Sequence, residues 1–261
     1  MYEKHWGLNE KPFENTPDPR FMYDSEQHYE GLMRLMYAIT QRRGAALLTG
    51  EFGCGKTLLS RAIIQQLEPE KYEVAIITNP AFTAIELLQK ILFELGIDTM
   101  SEDRVTVLNA INEILFRNMQ NDKDTVIVID EAQMIEEEKT LDEIRALLNF
   151  QLDDRFLLTL LLIGQPELLK MIDRLPQLKQ RLSVKWHLGP FKKEEVAEYI
   201  NRRLSVAGAD REIFTDEAIS LIHNKTKGIP RLINDLCDMS LFAGYMRKAE
   251  KIEPAIVETV Q

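Results

Sequence analysis

A phosphate-binding loop pattern constrains this chain more than any other feature of its sequence. Residues 50–57 read Gly-Glu-Phe-Gly-Cys-Gly-Lys-Thr and match Gly-x-x-x-x-Gly-Lys-Thr at every required position. The apolar run Ala45 to Leu48 predicts a buried strand before the loop, and a helical pattern resumes after Lys56. Glycines let such a loop bend so that N–H groups face one concavity at a helix N-terminus, which favours an anion. The pattern therefore predicts that the loop binds the phosphates of a nucleoside triphosphate.

The residues of this loop have separate predicted roles. Lys56 is expected to reach the terminal phosphates, and the Thr57 hydroxyl to ligate a magnesium ion. Cys54 lies beside the predicted helix N-terminus, which could lower its thiol pKa; the favoured interpretation is a tolerated variable position. A separate hypothesis is that alkylation of Cys54 would block nucleotide binding. The predicted nucleotide-binding set comprises Gly50, Glu51, Phe52, Gly53, Cys54, Gly55, Lys56, Thr57 and Leu58.

Strands alternate with helices between residues 45 and 188, which predicts a parallel α/β sheet. Beyond Gly189-Pro190 the strand signals end and only helical patterns follow. We therefore expect a nucleotide-binding α/β domain over residues 1–188 and a helical lid domain over residues 189–261. Further strands are predicted at 73–78, 125–129, 157–163 and 184–188.

The first 24 residues are rich in proline and aromatic side chains. Pro12, Pro17 and Pro19 lie within eight residues and oppose a regular helix. Two interpretations remain open. The segment is either irregular chain packed across the domain or, in part, a cover for the adenine base.

Composition narrows the classes of protein to consider. The formal net charge of −10 argues against attraction of the whole surface to nucleic acid or anionic lipid, without excluding a local basic patch. The two cysteines and four histidines have no metal-ligand spacing, so the histidines are interpreted as structural. No signal-peptide pattern and no apolar run long enough to cross a bilayer is found, which predicts a cytoplasmic protein.

An acidic pair follows the strand predicted at 125–129. Asp130 is expected at the strand tip, where it can hold the magnesium ion directly or through water. Glu131 is then placed to orient and polarise the attacking water, which favours hydrolysis over a binding switch. Gln165, after the fourth predicted strand, is expected to reach the γ-phosphate or the water; an ordinary loop amide is the alternative.

Basic side chains are concentrated in residues 174–193, which contain no Asp or Glu. This segment is either a solvated face or a surface that meets an anion. Arg181 falls where an arginine finger supplied to a neighbouring subunit would lie, and Arg174 is the alternative. Arg231 follows Pro230 at a predicted helix start, from which it could fold back onto the γ-phosphate.

These residues together resemble the AAA+ ATPases of the ExeA (GspA) and MshM type, associated with general secretion and type IV pilus assembly in bacteria. The resemblance extends over almost the whole chain, and its most specific parts are residues 16–21 and 164–168. It implies a P-loop NTPase (AAA+) three-layer α/β/α core with a five-stranded parallel sheet and a small all-helical lid. It also implies ATP and magnesium as ligands, a ring or filament in which Arg181 acts in trans, and Gln165 and Arg231 as sensors 1 and 2.

The resemblance leaves the biological process open. Longer members add a transmembrane segment and a peptidoglycan-binding region, so this chain is expected to be either a stand-alone cytoplasmic member or a fragment. The expected partners are copies of itself and a secretion or pilus assembly protein, which could hold it at the inner membrane. The alternatives are a DNA-associated transposition helper of the TniB type, less favoured because of the acidic charge, and a nucleotide-gated scaffold with little turnover.

Overall fold

The computed structural model describes residues 1–99 and 101–260 and contains a five-stranded sheet. The strand order is β2-β3-β4-β1-β5, and all neighbouring strands are parallel. This confirms the predicted sheet, and every strand end lies within two residues of its predicted position. The strands are β1 (Ala45–Gly50), β2 (Tyr72–Ile77), β3 (Asp124–Ile129), β4 (Leu158–Gly164) and β5 (Leu182–Leu188).

Some of the helices begin at capping residues that the sequence provides. The Thr83 side chain accepts from the Glu86 N–H, and the Thr215 side chain accepts from the Ala218 N–H, each at a helix start. No helix within the described residues is long and apolar enough to cross a membrane. The helices are α1 (Glu3–Trp6), α2 (Glu26–Thr40), α3 (Lys56–Gln66), α4 (Ala84–Glu94), α5 (Arg104–Gln120), α6 (Glu138–Leu147), α7 (Pro166–Asp173), α8 (Pro176–Arg181), α9 (Lys193–Val206), α10 (Asp216–Thr226), α11 (Pro230–Met246) and α12 (Pro254–Val257).

The chain divides into two compact units. The helical unit comprises residues 1–29, 51–59 and 189–261, and the sheet unit comprises residues 30–50 and 60–188. The phosphate loop and the N-terminal segment therefore belong to the same compact unit as the C-terminal helices. The domain ranges 1–188 and 189–261 stay a prediction, and Gln261, at the end of the second range, lies outside the described residues.

The sheet unit is built around strands that are buried on both faces. Leu47, Ile127 and Leu160 pack against buried residues of the helices α4 to α8. The residues that alternate with them, among them Leu48 and Val128, are also fully buried. Because both faces are covered, the strands show the near-continuous apolar runs typical of a parallel sheet. The predicted three-layer α/β/α core is confirmed.

The helical unit includes the proline- and aromatic-rich N-terminal segment in its core. Trp6 is fully buried, and its Nε1 donates to the Leu241 carbonyl at 2.9 Å. The guanidinium of Arg203, only 5% exposed, donates to the carbonyls of Pro12 and Glu14. The segment thus packs as the first interpretation expected, with a one-turn helix, α1, before the prolines. A role in covering adenine stays a prediction.

Candidate nucleotide-binding site

The phosphate loop bends at glycines and leads directly into α3. Gly53 and Gly55 have φ of +83° and +94°, in the left-handed region that favours glycine. The Cys54 N–H donates to the Glu51 carbonyl at 3.2 Å and closes a turn. The helix then begins at Lys56. The predicted succession of strand, loop and helix is therefore present.

Two carbonyl groups of the loop are bound by the surrounding helical unit. The Gly53 carbonyl accepts from the Arg231 N–H at 3.2 Å, and the Cys54 carbonyl lies 3.2 Å from His28 Nε2. In a trans peptide the N–H points away from the preceding carbonyl. The Gly55 N–H consequently lies on the side of the loop opposite His28. Binding of these carbonyls fixes the direction in which the loop presents its anion-binding face.

His28 is the buried side chain that supports the loop from α2. It is 3% exposed, and its Nδ1 lies 2.7 Å from Ser25 Oγ. Because the Cys54 carbonyl can only accept, Nε2 carries the proton and Nδ1 accepts from the Ser25 hydroxyl. Burial lowers the pKa of His28 to about 4, so the ring is neutral near pH 7. The sequence analysis interpreted this histidine as structural and missed its contact with the loop.

The start of α11 also packs against the loop. The Arg231 guanidinium lies 4.9 Å from the centre of the Phe52 ring, within the range of a cation–π contact. A Cβ atom on Gly53 would lie 2.8 Å from Arg231 Cβ, so only glycine fits there without a shift. The predicted helix start at Pro230 is confirmed. The sensor role of the exposed Arg231 side chain stays a prediction.

Lys56 and Cys54 are buried, unlike the residues at the loop tip. Lys56 is 5% exposed, and its Nζ donates to the Glu51 carbonyl at 3.1 Å. Cys54 is fully buried, and burial raises the pKa of its thiol to about 11. The helix N-terminus therefore does not lower the Cys54 pKa, because desolvation of the thiolate outweighs the attraction of the nearby Lys56 charge. Glu51 and Phe52, by contrast, are exposed.

In the sheet unit, the acidic pair turns sharply away from the end of β3. Asp130 is 4% exposed, and its N–H donates to the Ile77 carbonyl of the neighbouring strand at 2.8 Å. Glu131 has a φ of 54°, which a residue other than glycine rarely adopts. Its N–H donates to Asp130 Oδ1 at 2.9 Å. This bond holds the Asp130 carboxylate at the strand end.

Gln133 connects the acidic pair to the end of β4. Its Nε2 donates to Glu131 Oε2, and its Oε1 accepts from the Gln165 N–H at 2.9 Å. Because β3 and β4 are adjacent and parallel, residues 130 and 165 follow their strands at the same edge of the sheet. The structure thus brings Glu131 and Gln165 together through a glutamine to which the sequence analysis assigned no role. The available signals for Gln133 were its place two residues after Glu131 and its inclusion in the family motif at residues 129–133.

Arg181 lies at the opposite edge of the sheet, at the end of α8 and directly before β5. Its Nη1 donates to Gln151 Oε1 at 3.4 Å, and it lines a cavity of about 620 Å³ with Arg155. The six residues of β3 span about 20 Å, so Arg181 is not brought to the acidic pair of its own chain. Arg174, the alternative, is exposed at the end of α7.

The fold and these residues define a P-loop protein of the AAA+ class. The AAA domain family matches residues 39–172, and the chain belongs to this family. It is 40% identical over 255 residues to General secretion pathway protein A of Aeromonas hydrophila. The alignment covers 97% of this chain and 46% of the relative, so the chain spans about half of that relative's length. The resemblance to the ExeA (GspA) type is thereby confirmed.

Solved structures share the fold at low sequence identity. The Aeropyrum pernix ORC2 protein, solved in ADPNP–ADP complexes, is 16% identical with a TM-score of 0.70, covering 96% of this chain and 71% of that chain. Drosophila ORC bound to DNA is 19% identical with a TM-score of 0.72, covering 95% of this chain and 63% of that chain. At these identities the similarity supports the AAA+ fold alone.

Proposed function

We propose that this chain binds ATP with magnesium and hydrolyses the γ-phosphate. The observation that carries the proposal is the acidic pair after β3, in which a carboxylate group stands at the carboxyl edge of a parallel sheet with its side chain held by Gln133. Ligands of open α/β sheets bind outside the carboxyl ends of the strands. A fixed carboxylate at that edge suits activation of a water molecule, whereas binding alone does not need one.

In this proposal the phosphate loop and Lys56 bind the phosphates. The Thr57 hydroxyl and the Asp130 carboxylate are hard oxygen donors, the type that Mg²⁺ prefers in proteins. When bound, the ion would neutralise charge that develops on the phosphate oxygens. Glu131 orients the attacking water, and Gln165 and Arg231 read the γ-phosphate as sensors 1 and 2.

We further propose that Arg181 serves the site of a neighbouring copy in a ring or filament. Its position at the amino edge of the sheet supports this, because the acidic pair of the same chain lies about 20 Å away along the strands. An arginine added in trans stabilises the charge of the transition state. The same geometry makes turnover depend on assembly.

The process proposed for this ATPase is assembly of a secretion or type IV pilus apparatus. The name of the Aeromonas hydrophila relative, General secretion pathway protein A, supports this process. The proposed partner is a protein of that apparatus, and the proposed location is the cytoplasm, where ATP is available, or the inner membrane through partners.

A second candidate is a DNA-associated helper ATPase. Residues 174–193 carry Arg174, Lys179, Arg181, Lys185, Lys192 and Lys193 without any acidic residue, and Drosophila ORC, of the same fold, was solved bound to DNA. A duplex DNA titration at several salt concentrations tests it, because phosphate contacts weaken steeply with salt. Binding that is absent even at 50 mM salt would exclude this candidate.

The proposed function is tested by ATP turnover at increasing protein concentration, with molecular mass measured in the same samples. We expect specific activity to rise with assembly in the wild type. Glu131→Gln should bind ATP but hydrolyse it at least about 100-fold more slowly. Arg181→Ala should assemble but lose about 1000-fold of the rate, with Arg174→Ala as the matched control.

Equal turnover in the wild type and Glu131→Gln would contradict hydrolysis by this site and leave the nucleotide-gated scaffold. Activity that is independent of concentration and of Arg181 would contradict the trans arginine.

A further inference from the structure

We infer that Gln133 is a positioning residue that orients the Glu131 carboxylate and couples it to the end of β4. The inference rests on the proposed function of Glu131. It starts from the two hydrogen bonds of one amide group, to Glu131 Oε2 and to the Gln165 N–H.

The orientation of this amide is determined by its partners. The Gln165 N–H can only donate, so the oxygen of the amide must face it. The NH₂ group then faces the carboxylate, which accepts. The same side chain could not bind both partners in the flipped orientation. Gln133 is therefore matched to a carboxylate on one side and to a backbone N–H on the other.

The backbone around Gln133 leaves room for this bridge. A Cβ atom on Gly164 would lie 2.5 Å from Gln133 Oε1 and 2.8 Å from Leu168 Cδ2. Any other residue at 164 would displace the amide or the helix α7 behind it. Gly164 is thus the position on β4 that allows the side chain of the neighbouring segment to reach the Gln165 N–H.

The bond from Gln133 is a side-chain contact that fixes the direction of the Glu131 carboxylate. The residue lies outside regular secondary structure in the left-handed region, between β3 and the 3₁₀ turn Ala132–Met134. The bond from Gln133 occupies Oε2 of the carboxylate. We assign the other oxygen, Oε1, to the attacking water. Loss of the bond would let the carboxylate rotate, and a displacement of about 1 Å can cost about 100-fold in rate.

The second bond gives the bridge its coupling role. Gln165 is the proposed γ-phosphate sensor, and its own N–H holds the Gln133 oxygen. A shift of residue 165 on nucleotide binding would therefore move the amide that orients Glu131. Contact with the γ-phosphate and alignment of the water-orienting carboxylate are linked through a single side chain.

The test compares Gln133→Leu, Gln133→Glu and the control Met134→Leu, which changes an exposed side chain of the same turn. We expect Gln133→Leu to lower kcat about 10- to 100-fold with KM for ATP within threefold of wild type. Nucleotide affinity and thermal unfolding, measured on each variant, report whether the site and the fold are intact. Met134→Leu should match the wild type in every measurement.

Gln133→Glu adds a signature that a merely structural role would not produce. Two carboxylates at hydrogen-bond distance share a proton, and the shared proton is lost as pH rises. A protonated Glu at position 133 can still donate to Glu131, so kcat of this variant should recover as pH is lowered from 8 to 6. Gln133→Leu should stay low across that range.

Each outcome decides between the inference and the proposed function. If the wild type hydrolyses ATP, Glu131→Gln is inactive and Gln133→Leu equals Met134→Leu, the positioning role is wrong and the proposed function stands. If Gln133→Glu shows no recovery at low pH although it folds and binds ATP, orientation through this bond is also wrong. If wild type and Glu131→Gln do not differ, both proposals fail.

Discussion

The phosphate loop and the acidic end of β3 are held by different kinds of contact. The loop carbonyls bind His28 and Arg231, which are far from the loop in sequence but belong to the same helical unit. The acidic pair is held by the sheet and by Gln133, two residues from Glu131. Substitutions that loosen the helical unit should therefore weaken nucleotide binding. Substitutions of Glu131 or Gln133 at the strand end should reduce turnover and leave binding intact.

The largest expected effect is a loss of ATP affinity in a phosphate-loop variant that a variant of the acidic pair does not share. Lys56→Ala should lower ATP affinity about 100-fold or more, because it removes two or more charge-assisted hydrogen bonds worth about 1.5–3 kcal/mol each. Glu131→Gln should leave affinity within threefold of wild type. Calorimetric titration with a non-hydrolysable ATP analogue measures both. A similar loss of ATP affinity in the two variants would contradict the proposal that Lys56 serves binding and Glu131 serves hydrolysis.

The second prediction concerns the buried side of the loop. Raising the Cys54 pKa from its ordinary 9.0 to about 11 lowers the thiolate fraction at pH 8 about 100-fold, and burial blocks access as well. In a Cys237→Ala background, we expect Ellman's reagent to label native protein at least about 100-fold more slowly than urea-unfolded protein. Once labelled, the loop should no longer bind ATP. Fast stoichiometric labelling of the native chain would contradict the buried placement, and full ATP binding after labelling would contradict the expected block.

Alanine substitutions at two glycines test whether packing against α11 supports the phosphate loop. Gly53 and Gly96 both have positive φ, near +83°, so alanine at either site costs about 1–2 kcal/mol of backbone strain. A Cβ atom at residue 53 would meet Arg231 and Ile229 at the start of α11, whereas one at residue 96 would face open space. Gly53→Ala should therefore lose about 1 kcal/mol more unfolding free energy in urea than Gly96→Ala, and it alone should weaken ATP binding. Equal effects would show that the start of α11 does not support the loop.

The last prediction is a pH dependence of the unfolding free energy that comes from His28. Its pKa in the folded chain, about 4, lies below the unfolded value near 6.5, so the unfolded chain binds more protons between these values. The free energy of unfolding should fall as pH drops from 6.5 toward 4, by up to about 1.4 kcal/mol per pH unit. His28→Gln retains a donor for the Cys54 carbonyl and should reduce this slope. Parallel slopes in urea unfolding of the two proteins between pH 7 and 5 would contradict a neutral, buried His28.

Much of the fold could be predicted because its signals are local. The β-branched run before Asp130 has no polar alternation, which is typical of a buried parallel strand, and β3 ends at Ile129 as predicted. The helix start at Pro230 and the loop glycines are likewise matters of backbone preference. The helical pattern predicted over residues 253–260 is longer than the observed α12, Pro254–Val257, because an apolar pattern does not show where packing ends a helix.

The candidate site was predicted only in part. Residues within one motif, such as Lys56, Thr57 and the acidic pair, are visible because their chemistry requires a fixed spacing. His28 and Gln133 were missed, since each acts through a contact that depends on the folded chain. The raised Cys54 pKa was also missed, because burial cannot be read from a loop motif.

The sequence by itself determined the class of this protein: the loop, the acidic strand end and the alternation of strands with helices are encoded by neighbouring residues. The tertiary structure alone decided which side chains hold these elements. His28 reaches a carbonyl 26 residues away, and Gln133 reaches a residue 32 positions along the chain. The physical reason is that backbone preferences act within a few residues, whereas desolvation and hydrogen bonding depend on groups that only packing brings together.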